Sequence, residues 1–549
     1  MTAGTRPPAG AAAHDGAPPA ASAPTTVGPP PGGAPPGGTS DGTAEVRRGT
    51  RTGIAGLAGA ASNGLFGFLL AVVITRGYGA AGSGAFFAAV GVVTVASAAC
   101  TLGAETGLIW TLPRRRAGGR GDAARVLAVA FGPPLAAGVV VGTAGVLAAD
   151  ALAPRLLDDA GGPALLRASF AAVPLVVAMT LLFAVLRCVR PIRAYVGVQS
   201  VLLPAARPLL VGAVALAGGG VLAGLTGWLV PAGCAVAVSL VLVAGPLGVG
   251  RGAPLRPARA DWSAFWRFAL PRAGSAAIDA SVVWIGVLLT SVLAGQADAG
   301  VFGAVGRYVL AGQLAMHGLR VAVSPQLSRL LGRGERVAAA AVHRRLTVWA
   351  LVLSWPVYLL LAVFGPGFLH LFGPAFAAGA PAMTVLALAM LVNTGVGNVQ
   401  SLLLMGGRSG LHLAATVAGL AVTVGLGVWL IPGHGVTGAA SAWAVGIAVE
   451  NLTAFACARA VVGQPLVDGA LLRAAGGTVA AVGGAALAGA VAAGRGVPGL
   501  AAALAVLAAG CVVLLTLPRV RRRVRLAVGQ IRRPEGAAPA AASASTKGR

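Results

Sequence analysis

The chain has 549 residues, of which 57% are hydrophobic and only 10% charged, with a mean hydropathy of +0.84. A soluble protein of this size is about a quarter charged, so the composition excludes a soluble enzyme. The net charge of +26 comes from arginines in loops and in the C-terminal tail. There they face anionic lipid headgroups. No aromatic-interleaved basic patch is present, and no nucleic-acid partner is expected.

In chain order, residues 1–48 are rich in Pro, Gly, Ala and Thr without an apolar core, and read as a disordered cytoplasmic tail. No cleavable signal peptide precedes the first apolar run, which serves as the insertion signal. Between Gly53 and Leu517 there are about fourteen apolar runs, each near the ~20 residues a membrane helix needs. They fall at 53–75, 83–105, 124–148, 165–186, 195–217, 220–244, 268–294, 299–323, 346–369, 378–404, 409–431, 434–458, 470–493 and 497–517, and are called spans 1 to 14. Lipid gives a bare backbone no hydrogen-bond partner, so such runs are helices. The expected fold is an all-α integral membrane protein. Residues 50–249 form an N-terminal six-helix lobe and 260–460 a C-terminal one. Residues 470–517 add two helices, and 518–549 form a basic cytoplasmic tail.

Loop arginines alternate. Loops after even-numbered spans carry Arg114, Arg115, Arg116, Arg187, Arg190, Arg193, Arg251, Arg256, Arg333, Arg408 and Arg459, among others. Loops after odd-numbered spans carry few, with the acidic Asp158, Asp159 and Asp298. The positive-inside rule puts both termini and every even loop in the cytoplasm of a multi-pass plasma-membrane protein. The tail Arg519–Arg525 reads as a stop signal and headgroup anchor. Trp262, Phe265 and Trp266 share a helical face, which suits a short interfacial helix leading into span 7.

Thr75–Val90 and Thr290–Val305 align without gaps, sharing the threonine, a phenylalanine at 87 and 302, and the final Ala-Val. Six spans separate them, so both copies cross the membrane in the same direction. A parallel repeat of six plus six helices is a transporter architecture with the substrate path between the halves.

Chemistry-bearing motifs are absent from the sequence. There is no Gly-Lys-Ser/Thr phosphate loop for ATP and no HExxH metal motif. Cys100, Cys188, Cys234, Cys457 and Cys511 are scattered small fillers. No catalytic residue, metal or cofactor is expected, and the chain does not read as an enzyme.

Leu430-Ile-Pro-Gly-His-Gly-Val-Thr-Gly-Ala-Ala-Ser-Ala442 resembles the "LIP-x-x-G-x-x-GAA-x-A" turn-and-helix of polysaccharide-biosynthesis flippases of the O-antigen and exopolysaccharide type. These belong to the multidrug/oligosaccharidyl-lipid/polysaccharide exporter superfamily. Ile74–Phe86 resembles that family's first hairpin, Phe268-Ala-Leu-Pro-Arg272 its entry to the second lobe, and Ser324–Arg329 its end of span 8. The resemblance covers roughly residues 50–460. It implies alternating access between two lobes, with an oligosaccharide on a polyprenyl diphosphate as cargo. The family ranges from twelve to fourteen helices.

A diphosphate crossing a membrane needs cations in the cavity that carries it. Arg207, between Pro204 and Pro208 in span 5, either lines that cavity or snorkels. Arg307 sits inside span 8. Arg272 and Asp279 lie seven residues apart in span 7, hence on one face about 10.5 Å apart. Asp279 is read as a proton or cation site or as a counter-ion for an arginine. Asn393 and Asn398 in span 10 offer sugar contacts or helix-to-helix hydrogen bonds. The expected partners are a lipid-linked glycan, membrane lipids, and H+ or Na+ as coupling ion. Two rival readings are a cation-coupled multidrug exporter of the same superfamily and a membrane oligosaccharide polymerase or ligase. The longest outer loop, 150–165, is too short to be an enzyme domain.

Overall fold

The computed structural model describes residues 39–116, 120–157, 161–247, 257–463, 465–516 and 518. Residues 1–38, Asp158, Asp159, the loop arginines Arg251 and Arg256, and the basic tail from Arg519 lie outside them. The chain divides into two units, Met1–Thr50 and Arg51–Arg549. In the first, residues 39–50 are helical; all that follows lies in the second.

Among the described residues the second unit is helical and contains no strand. Nine of these helices are long and apolar enough to cross a membrane. Two of the nine, Ala58–Cys100 and Ser409–Val462, are hairpins of two spans each. Asn63 and Thr94 line the same cavity, although a straight helix would separate them by roughly 46 Å. Thr416 donates to the Glu450 carboxylate at 3.2 Å, which a straight helix would also forbid. The folds lie at Gly79 (φ 67°, ψ −168°) and Gly435 (φ 50°, ψ −130°). Left-handed backbone of this kind is nearly exclusive to glycine. Arg259–Ala294, Gln296–Gly312 with Leu314–Gly332, and Val497–Thr516 supply spans 7, 8 and 14, so the expected fourteen are accounted for.

The spans are less regular than their apolar runs suggest. Span 2 breaks at Thr101–Gly103, where Leu102 and Gly103 have φ of 50° and 72°, and continues beyond its apolar run as the helix Ala104–Arg116. Span 10 breaks at Gly397 (φ 78°), and span 8 at Gln313, whose N–H donates to Leu310 O three residues back. Broken helices survive at membrane depth where neighbouring helices or a cavity satisfy the freed backbone. The short interfacial helix expected before span 7 is instead the beginning of the one helix Arg259–Ala294. Phe265 is buried there against Gly107 of span 2, where a methyl group would come within 2.8 Å of its ring. Phe265 therefore helps to tie the lobes together at this point.

The internal repeat is real but shifted by one residue from the gapless alignment. That alignment equates Gly79 with Ala294, whereas the backbone equates Gly79 with Gly295 (φ 88°, ψ 175°). The two hairpin tips meet symmetrically. A methyl on Gly84 would collide with the Gln296 carbonyl oxygen, and a methyl on Gly300 with that of Ala80. Each would also lie 2.9 Å from the other glycine's amide nitrogen. This reciprocity is the signature of a two-fold relation. Ala/Gly-rich segments score almost equally in adjacent registers, which is why the sequence match is displaced.

At the end of the bundle bearing the odd-numbered loops, the lobes are closed onto one another. Besides the glycine contact, Arg76 donates to the carbonyls of Leu371 (2.8 Å) and His370 (2.9 Å). Ser291 donates to Leu156 O at 2.7 Å, and Phe68 inserts among Tyr308 and Phe372, with centroids 5.0 and 5.7 Å away. At the even-loop end, span 2 meets span 7. Trp110 stacks on Phe268 at 4.4 Å, and Arg115 pairs with Asp261 at 3.2 Å. Spans 13 and 14 pack on span 9, where Leu360 and Phe364 meet Val482, Ala486 and Ala503.

Candidate functional site

Span 5 runs Ile192–Leu216. Pro204 lacks an N–H, and its ring crowds the carbonyl four residues back. The backbone accommodates it with a wide turn: Gly197–Leu202 is π-helical, and the Leu203 N–H donates to Val198 O. Such turns recur at functional sites. Arg207 follows one helical turn later, about 14 Å from the Leu216 end. Its guanidinium lies 3.9 Å from the centroid of Trp228 in span 6. Its Nε is buried without a hydrogen-bond partner.

Arg307 stands about 16 Å from the Gln296 end of span 8, a similar depth. Its guanidinium lies between Phe87 of the first lobe (5.5 Å) and Trp284 of the second (5.1 Å). Both arginines and three of these rings line one cavity of about 430 Å³, walled by spans 1, 2, 5 and 6 of one lobe and 7 and 8 of the other. The size is that of an ordinary ligand site. The cavity runs along span 1 from Ile74, near the closed odd-loop end, to the exposed Asn63. A narrow extension passes Trp284 and Arg307 and reaches Trp443 of span 12.

No Asp or Glu lines this space among the described residues. A desolvated cation–π contact gives about 2 kcal/mol, whereas removing an ion from water costs several kcal/mol. The rings thus only partly compensate two guanidiniums, and the cavity is electrostatically suited to an anion.

The other expected site residues lie elsewhere. Arg272 is exposed; it sits over the Phe268 ring at 3.9 Å and donates to Phe268 O at 3.0 Å. Asp279 is on the helix of span 7, but its side chain lies outside the described residues. Asn393 donates to Met390 Sδ, a 3.6 Å contact within its own helix. Asn398, 1% exposed, sits at the break after Gly397 with neither amide atom partnered. Neither asparagine lines the cavity. Sequence reading missed Trp228, Trp284 and Asn63. The available signal was position: membrane tryptophans favour the interfaces, and these two stand inside their spans.

No protein-family model and no curated protein matches the sequence. Solved structures do match in fold. An inward-facing multidrug resistance MATE family transporter of the MOP superfamily superimposes with a TM-score of 0.59 at 16% identity, covering 74% of this chain and 98% of the other. Lipid II flippase MurJ in its inward closed conformation gives 0.59 at 10% identity, covering 83% and 98%. An outward-facing MATE transporter gives 0.51 at 16% identity, covering 75% and 95%. At these identities the likeness is one of fold. The chain has the two-lobed membrane fold of the MOP superfamily transporters.

Proposed function

We propose that this chain is a flippase that moves a polyprenyl-diphosphate-linked oligosaccharide, or a related lipid-linked envelope glycan, from the cytoplasmic to the outer leaflet by alternating access. The observation that carries the reading is the pair Arg207 and Arg307, brought from opposite lobes into one cavity that no described carboxylate lines. The diphosphate would meet the guanidiniums, the sugars the faces of Trp228 and Trp284, and the lipid tail would stay in the bilayer. A cationic drug would be repelled by the same two charges. The extent of the fold match favours the flippase over the multidrug exporter. The flippase match covers 83% of this chain against 74% for the inward-facing MATE match. With no phosphate loop in the sequence, a H+ or Na+ gradient is the proposed drive, and the plasma membrane the proposed location.

The test is flipping of a fluorescent polyprenyl-diphosphate sugar in proteoliposomes. Arg207→Ala and Arg307→Ala are expected to lower the rate at least tenfold with insertion and melting temperature retained, and Arg307→Lys to keep part of it. Wild-type rates in both alanine variants would remove the arginines from the mechanism. Ion-driven uptake of a cationic dye with no glycolipid flipping would favour the multidrug exporter.

A further inference from the structure

A second cavity, of about 220 Å³, lies at the even-loop end where span 2 meets spans 3 and 7. Thr111, Arg114 and Arg115 face it from span 2, Val126 and Val129 from span 3, and Asp261 from span 7. Arg114 lies 4.3 Å from the Trp110 centroid and donates to that residue's carbonyl. Arg115 pairs with Asp261 yet keeps 41% of its side chain exposed. The other Asp261 oxygen accepts the Ala258 N–H at 3.1 Å. Among the described residues, two guanidiniums against one carboxylate leave the cavity positive. Thr111 is 9% exposed, and its hydroxyl has no hydrogen-bond partner. Trp110 and Trp262, 41% and 37% exposed, mark the level at which headgroups lie.

We infer that this cavity binds the phosphate of an anionic membrane phospholipid, with Arg114, Arg115 and the Thr111 hydroxyl as donors. Guanidiniums suit phosphate because their forked N–H groups match its oxygens. The apolar wall of Val126 and Val129 and the exposed indoles favour a phosphate attached to lipid over a free one. The site lies outside the central cavity and stands whatever that cavity carries. It also has a mechanical consequence. Asp261 and the phosphate compete for Arg115, so an occupied site loosens the ion pair that ties span 2 to span 7.

The test uses the full chain in nanodiscs of phosphatidylcholine alone or mixed with phosphatidylglycerol. Readouts are melting temperature and, after detergent extraction, the phosphatidylglycerol retained per protein by native mass spectrometry. Phosphatidylglycerol is expected to raise the wild-type melting temperature, as any ligand of the native state does. Arg114→Gln and Arg115→Gln are expected to lower retention severalfold, and Asp261→Asn to raise it. Thr111→Val keeps shape and every charge, so it covers the case of an arginine variant that fails to fold; it too is expected to lower retention. Unchanged retention in Thr111→Val and in a folded Arg114→Gln/Arg115→Gln variant would overturn the site. Stabilisation by inorganic phosphate, lost in Arg114→Gln and without preference for phosphatidylglycerol, would overturn the lipid assignment.

Discussion

Gly435 shows how a single residue sets the geometry of a whole hairpin. Pro432 ends the hydrogen-bond ladder of span 11, and Gly435 then takes φ 50°, ψ −130°. The Asp298 carboxylate occupies the space where a Cβ would stand and accepts the Val436 N–H at the start of span 12. Gly438, Ala439, Ala440 and Ala442, all buried, let the second arm pack closely. The family-like Leu-Ile-Pro segment is thus a turn with a carboxylate cap. Gly435→Ala must adopt a disfavoured φ, at a cost of about 1 kcal/mol, and displace the carboxylate as well. A lower melting temperature is expected, with Asp298→Asn giving a smaller drop because an acceptor oxygen remains. A melting temperature unchanged in Gly435→Ala would show that the turn is made differently.

The hairpins are the elements on which alternating access would turn. Their tips approach so closely at Gly84 and Gly300 that only hydrogen fits between the backbones. Gly84→Val or Gly300→Val should hold the odd-loop end apart. In a background with the five cysteines replaced, Ser83→Cys, at a position fully buried in the closed tips, is then expected to label faster with an impermeant maleimide than in the glycine parent. Equal labelling rates would mean that the tips do not form the seal. Much of this element scale is legible in the sequence. The apolar runs give the spans, and a guanidinium inside such a run identifies Arg207 and Arg307, because charge at that depth has so few uses. The helix breaks at Leu102, Gln313 and Gly397 are not legible, since contacts with other spans decide them. Trp110 and Phe268 meet across the lobes, and nothing in one sequence pairs them. The one-residue error in the repeat has a similar origin: the register is fixed by backbone proximity at two glycines, and glycine carries no side chain to align.

For the whole molecule, an even number of spans puts both ends of the membrane region on one side, and from the loop arginines we propose that this side is the cytoplasm. A fluorescent-protein fusion after Arg549 is expected to glow and an alkaline phosphatase fusion there to be inactive. The reverse result would invert every loop. The last two helices form an outer layer. They touch span 9 through Leu360 and Phe364, and Arg495 donates to Val363 O at 2.8 Å. None of their described residues lines the central cavity. Removing them would expose apolar side chains to lipid, which is as apolar as they are, so no hydrophobic penalty follows. The Arg344–Asp468 pair, 3.3 Å apart with side chains 24% and 42% exposed, would be lost, and a partly exposed pair of this kind contributes about 1 kcal/mol or less. A chain ending at Val462 is therefore expected to insert, to elute as a single species in detergent and to melt within a few degrees of the full chain. Aggregation of this twelve-span form would show instead that the two lobes depend on the outer layer to hold together.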